Sequence, residues 1–292
     1  IATALYQQIP EEIIKSKLVP DEEDEWSATS RDLDHTSNRR MLIFSDSRQD
    51  AAYFATYLQE SYDRILRRRL IVTTLEKYKE QVLKNHWRIS DLVEFLKRVI
   101  CDLSLFPDMS MQQIDQEAWK WVLHEFMAVD TTLGLEGCGL LGFLPVLPSN
   151  WKPPRALCHG DWNLTPDEAG TLIMGLLDRI RKNGAIRFPD SVSPEDPFFE
   201  PRNKQYYFKE NAKDMKWIYS WNPSDKGYNN SRLDYLMRLA NKIGNGITRK
   251  KVEDTLSNIW SKLLVGDNAP WKNHFSCHLK RGYGDVYSLK PE

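Results

Sequence analysis

The chain has 292 residues, 41% hydrophobic and 28% charged, with a formal net charge of −1. That balance excludes an intrinsically disordered chain and a chain-wide electrostatic grip on nucleic acid, so any such contact must come from a local patch. Four Cys do not make a disulfide scaffold, and no apolar run approaches the roughly 18 to 20 residues that span a bilayer. The first residues lack the basic, apolar, small-residue order of a secretory leader. With Ile1 at its start, the chain is expected to be a piece of a longer, cytoplasmic polypeptide that does not contact a membrane.

Residues 1 to 18 carry Ala4, Leu5, Ile9, Ile13, Ile14 and Leu18, interrupted by Pro10, and read as short helix, turn, short helix. The acidic run Pro20 to Glu25 and the polar stretch Ser27 to Asn38 read as a solvated linker. Asp21-Glu22-Glu23-Asp24 has no apolar strand before it that would hold carboxylates beside a metal. Met41-Leu42-Ile43-Phe44 is a short apolar run suited to a buried strand, and it breaks into the polar turn Ser45 to Asp50. A helix follows at once, with Ala51, Ala52, Ala55 and Leu58 on one face. Ser47 and Asp50 stand at the spacing of a capping box. The free N–H groups of such a helix start, with the guanidinium of Arg48, suit an anion or a nucleic-acid phosphate. Arg64, Arg67 and Arg68 share a helical face just downstream, which suits either solvent or phosphate.

Residues 71 to 130 read as helices: one on Leu75, Tyr78, Val82 and Leu83, one capped by Ser90 and carrying Leu92 to Ile100, and one on Ile114 to Phe126. The aromatic residues of the third read as core, not as a base-stacking platform. Gly134, Gly137, Gly139 and Gly142 fit no phosphate-loop spacing, so they are expected to permit a bend or close backbone packing. Pro145 to Pro154 mark a connector. The next helix is framed by Thr165, Pro166 at its first position, Glu168, basic residues in its last turn and Gly184 as a stop. Ala185 to Phe188 can form a short strand, which on pattern alone resembles the wing of a winged helix.

Residues 189 to 230 read as a long excursion with short β or irregular pieces. Ser231 caps a helix through Leu239, Gly244-Asn245-Gly246 is a loop, and Thr248 opens a helix through Leu264. The tail reads as loop, with a strand near Val286 to Leu289. The expected fold class is mainly α with a small α/β element, in three regions: 1–70, 71–155 and 156–292.

Catalytic chemistry finds little support. Cys158-His159, Cys277-His278, His274 and Asp161 lack metal-ligand spacing. Ser45 and Ser47 lack the flanking glycines of a nucleophile elbow. Arg48 between Asp46 and Asp50 argues against a dense Mg²⁺ site.

The stretch Leu42-Ile-Phe-Ser-Asp-Ser-Arg-Gln-Asp-Ala51 resembles motif IV of superfamily 2 helicases. It looks most like the large DEAD/DEAH-type proteins with a cysteine-rich C-terminal region, including those of bacterial phage-defence systems. Leu133 to Leu141, Leu164 to Ile186 and Asn230 to Leu236 are similar to the same group, in the same order. The resemblance covers roughly residues 36 to 265. The phosphate loop, the arginine-finger motif and the cysteine-rich segment of that group are not in this chain.

The resemblance therefore implies the start of a second RecA-like lobe followed by a helical accessory region, winged-helix-like in part. Such a piece contributes DNA or RNA backbone contact, or braces the domains, but does not itself bind ATP tightly. ATP and Mg would belong to the parent protein, and the other helicase lobes would be its partners. Ser47, Arg48 and Gln49 are the leading candidates for backbone contact, with Arg67, Arg68, Lys250 and Lys251 as electrostatic candidates. A second class of function is a helical interaction module that docks a partner subunit, suggested by near-zero net charge and ten Trp. A third, a small α/β hydrolase-like enzyme, needs a perturbed acid or base in a pocket at the turn.

Overall fold

The first described helix, α1, begins at Arg48, in the polar turn of the sequence, and runs to Lys77. The computed structural model describes residues 48–85, 87–145, 151–204, 207–211, 218–222, 230–265, 269–281 and 284–290. The expected helices before residue 19, the acidic linker and the strand Met41–Phe44 lie outside these residues. The chain divides into two compact units, Ile1–Arg67 and Arg68–Glu292.

In the first unit the described residues are the leading part of α1. The amide of Gln59 donates to Asp63 at 3.0 Å, and Arg64 donates to the Ser61 hydroxyl at 3.4 Å. Tyr53, Tyr57, Tyr62 and Ile65 are exposed, while Leu58 is half-buried.

The second unit begins inside α1, where Leu70, Ile71 and Thr74 are buried. The helix stops at Lys77, and α2 (Lys79–Asn85) follows after Tyr78. The single core-facing helix expected on Leu75, Tyr78, Val82 and Leu83 is therefore two pieces, and Leu83 is exposed. The Tyr78 ring packs instead on Phe95 at 4.5 Å and Trp87 at 5.9 Å.

Helix α3 (Ile89–Asp102) buries Leu92, Val93, Leu96, Val99 and Ile100, the face its period implies. Its cap is Arg88, not Ser90, because the Asp91 carboxylate accepts the Arg88 N–H at 2.8 Å. Helix α4 (Met111–Phe126) starts with a reciprocal cap between Ser110 and Gln113 and packs along α3. After the single turn α5 (Arg155–Cys158), α6 (Pro166–Lys182) has every terminal feature its sequence announces. Thr165 and Glu168 cap each other, Pro166 is the first helical residue, and Gly184 at φ +76° donates to Arg181 O at 2.8 Å.

Ala185 to Phe188 does not form a strand of its own. It makes one parallel bridge, Ile186 to Leu289, flanked by bonds from Arg187 N to Leu289 O and from Leu289 N to Ala185 O. The excursion contains β1 (Tyr207–Asn211) and β2 (Ile218–Asn222), which pair in parallel. Helices α7 (Ser231–Ile243) and α8 (Arg249–Ile259) follow, and α8 continues into a π turn, Trp260–Val265. Asn230, not Ser231, caps α7, accepting from the N–H groups of Arg232 and Leu233.

The tail holds a full hairpin, β3 (Phe275–Arg281) and β4 (Gly284–Leu289), where only β4 was expected. The sheet order is β2-β1-β4-β3. The fold is thus mainly α-helical with one small mixed sheet.

Two apolar clusters organise the second unit. One joins the inner faces of α6, α7 and α8 with Trp162, Trp221, Trp260 and Trp271, and Tyr287 and Leu289 pack against it. The other joins Leu123, Phe126 and Met127 at the end of α4 to Ile186, Phe188, Val192 and Phe199. At roughly 1.5 to 3 kcal/mol per fully buried large side chain, these clusters are the main stabilising contribution.

Candidate nucleic-acid interface

Of the leading candidates, Ser47 lies outside the described residues. Arg48 and Gln49 are the first two residues of α1, in the first unit. That position puts them among the N–H groups a helix start leaves without intrahelical partners.

Arg67 is half-buried in the first unit, whereas Arg68 belongs to the second. Arg68 Nε donates to Glu125 Oε1 at 2.8 Å and Nη2 donates to Asp130 Oδ2 at 3.1 Å. This guanidinium is committed to two carboxylates, and a phosphate would have to displace both. Burial disfavours the Asp130 carboxylate, but the Leu133 N–H and the Arg68 guanidinium outweigh it and hold its pKa below the ordinary 3.8.

A carboxyl group with a depressed folded-state pKa adds stability above its ordinary value. That contribution is lost as pH falls through the depressed value. Acidification below about pH 4 is therefore expected to weaken the second unit. Asp130→Asn should narrow the gap between urea midpoints measured at neutral pH and in this acid range; an unchanged gap would remove Asp130 from the account.

The glycine-rich turn beyond Asp130 offers no cradle for the phosphates of ATP. Leu135 N donates to Glu125 Oε2 at 2.7 Å and Leu133 N donates to Asp130 Oδ1 at 2.9 Å, so carboxylates already hold these amides. Gly134 N and Cys138 N are taken by Asp130 O and Gly134 O. A Cβ on Gly134 would lie 2.4 Å from Asp130 O, and one on Gly137 2.7 Å from Thr131 O. These glycines let the backbone fold against itself, and the residues here do not fit a nucleotide.

Lys250 and Lys251 sit in the first turn of α8. The buried face of α8 is Val252, Thr255, Leu256 and Ile259, so both lysines fall on exposed backbone positions. Lys251 Nζ pairs with Asp161 Oδ2 at 2.6 Å, and the Asp161 carbonyl accepts from Asn245 in the preceding turn at 2.7 Å. Asp161 therefore braces the start of α8. Arg249 pairs with Glu253 at 2.8 Å, and Lys250 remains exposed.

Further exposed cations, Arg238 and Lys242, lie one turn apart on α7. The burial of Leu233, Leu236 and Ala240 leaves them outside, a periodic signal present in the sequence. The structure brings Lys250 and Lys251 together on one helix, and it places Arg68 with Glu125 and Asp130 instead.

Among the described residues, no group of three or more His, Cys, Asp or Glu could hold a metal ion, and no helix is long and apolar enough to cross a membrane. No family model matches the chain, and no curated protein or solved structure matches it.

Proposed function

We propose that the chain is part of an ATP-dependent nucleic-acid helicase or translocase, to which it contributes backbone contact and domain bracing without hydrolysing ATP itself. The observation that carries this reading is the stretch Leu42 to Ala51 leading into a helix at Arg48, where motif IV of superfamily 2 has its polar turn and helix start. A winged-helix-like accessory part is supported by chain order: α6, the bridge at Ile186, α7, α8 and the β3–β4 hairpin, with Leu289 pairing back to Ile186.

The test is binding of a labelled single-stranded DNA by the 292-residue chain at low and moderate salt. Arg48→Ala is expected to weaken it about fivefold and to flatten the salt dependence by about one counterion. Unchanged affinity would remove the site assignment.

One observation favours the second reading, a module that docks a partner subunit. Leu103 (54% exposed), Leu105, Met109 and Met111 (62% exposed) cluster in sequence between α3 and α4, next to the exposed Cys101. An assembly that fails on Leu103→Asp together with Met111→Asp, with DNA binding absent in the parent chain, would make that reading the better one.

A further inference from the structure

We propose that α7, the turn after it and α8 form a helix–turn–helix that sets the first turn of α8, with Lys250 at its outer edge, into the major groove of duplex DNA. This rests on the nucleic-acid reading above and assigns it a strand state and a second contact.

The geometry begins with the turn. Gly244, at φ +76°, ends α7 with its N–H on Ala240 O at 3.0 Å. Gly246, at φ +63°, reverses the chain again, conformations that only glycine takes without strain. Ile247 is buried and anchors the turn in the core, and Thr248 precedes the first residue of α8. Both helices bury one face in the same cluster. The rotation of α8 about its axis is therefore settled, with Lys250, Lys251 and Asp254 outward and Asn258 half-buried beside them. Amine and amide groups along one such face are the donors that read base edges and phosphates in a major groove.

The charge distribution points the same way. Helix dipoles favour acids in the first turn, yet α8 opens with Arg249, Lys250 and Lys251 and has no acid there. Local stability does not explain that choice. Glu253 and Asp161 hold the flanking cations in place, while Lys250 is exposed and has no ion-pair partner among the described residues. Its charge is directed at something outside the chain.

Immediately downstream the β3–β4 hairpin closes Arg281 against Gly284, and its sequence there is Lys280-Arg281-Gly-Tyr-Gly. A basic hairpin after the second helix is placed to follow an adjacent phosphate strand. Duplex DNA fits better than RNA, whose A-form major groove is too narrow for a helix. It also fits better than a single strand, which needs stacked aromatic platforms. Across α7 and α8 the one large exposed aromatic is Tyr235.

The experiment uses the whole 292-residue chain with two probes: a mixed-sequence DNA duplex of about 20 base pairs and one of its strands alone, each at about 50 and 200 mM salt. Lys250→Glu is expected to weaken duplex binding about tenfold and leave single-strand binding unchanged. Lys250→Ala should reduce the log–log salt slope by about one, and Lys250→Arg should restore it.

Lys84→Glu, the same charge change on exposed α2, is the control. If it weakens duplex binding as much as Lys250→Glu, or if the unmodified chain binds no duplex, the proposal is overturned. Failure of the wider reading looks different: single-strand binding is absent or indifferent to Arg48→Ala, while Lys250→Glu still lowers duplex affinity.

Discussion

Trp221→Ala is expected to destabilise the Arg68–Glu292 unit by about 4 kcal/mol, the range for removing a fully buried Trp. Trp221 has 0% exposure on β2, and its ring centre lies 5.2 Å from that of Trp260. The Arg232 guanidinium sits 5.1 Å over the same ring. Truncation opens a cavity that none of these three groups can collapse into, because each is anchored in a different element. The indole N–H also donates to Leu256 O at 2.8 Å, which ties the sheet to the middle of α8. Trp221→Phe keeps most of the ring volume and loses that bond, so about 1 to 2 kcal/mol is expected.

Urea unfolding followed by far-UV circular dichroism separates the two losses without relying on indole fluorescence. Equal losses for Phe and Ala would mean that the hydrogen bond, and not the volume, is what matters. A loss under about 1 kcal/mol for Ala would contradict the burial itself.

The parts of this fold that were legible in the sequence are those set by neighbours in the chain. Helix α6 is the clearest: Thr165, Pro166, Glu168 and Gly184 act within one turn of themselves, and all four do what their chemistry implies. The buried face of α3 follows from its period alone. Where a side chain had a choice, the reading slipped by a residue or two. Ser90 looked like a cap, yet Asp91 reaches back to the Arg88 N–H and starts the helix earlier.

Pairings distant in sequence were not legible. Phe275, Cys277 and Leu279 alternate in the sequence of β3, but the strand depends on β4, which in turn depends on β1. Arg68 was visible as part of a basic helical face. Its acceptors Glu125 and Asp130 lie 57 and 62 residues away, and no local pattern connects them. The basic start of α8 was legible as Lys250 and Lys251. What could not be read was that Asp161, 90 residues upstream, fixes one of them and leaves the other exposed.

Arg181→Met is expected to cost the same unit about 3 kcal/mol, through the loss of a buried charge that holds three acceptors. Arg181 is almost fully buried at the end of α6. Its Nη1 donates to Phe126 O at 2.5 Å, its Nε to Asp178 at 2.6 Å and its Nη2 to Glu136 at 2.5 Å. The guanidinium also lies 5.1 Å from the centre of the Phe143 ring and 5.5 Å from that of Phe126.

Phe126 O is one of the last carbonyls of α4, and Arg202 donates to Met127 O beside it. Two cations thus close the negative end of that helix, where a helix dipole most favours them. Methionine keeps the aliphatic length but leaves Phe126 O without its donor, and Glu136 and Asp178 with Lys182 as their shared cation. The loss is placed below the upper range for buried pairs because both carboxylates keep about a quarter of their side-chain surface in water.

Lysine at 181 should recover less than half of the loss, since one ammonium cannot meet three acceptors arranged around a planar fork. Full recovery by lysine would mean that charge alone matters. A double-mutant cycle with Glu136→Gln should then give a coupling of about 1 to 2 kcal/mol. Strict additivity would show that the Arg181–Glu136 contact does not join α6 to the turn beyond α4.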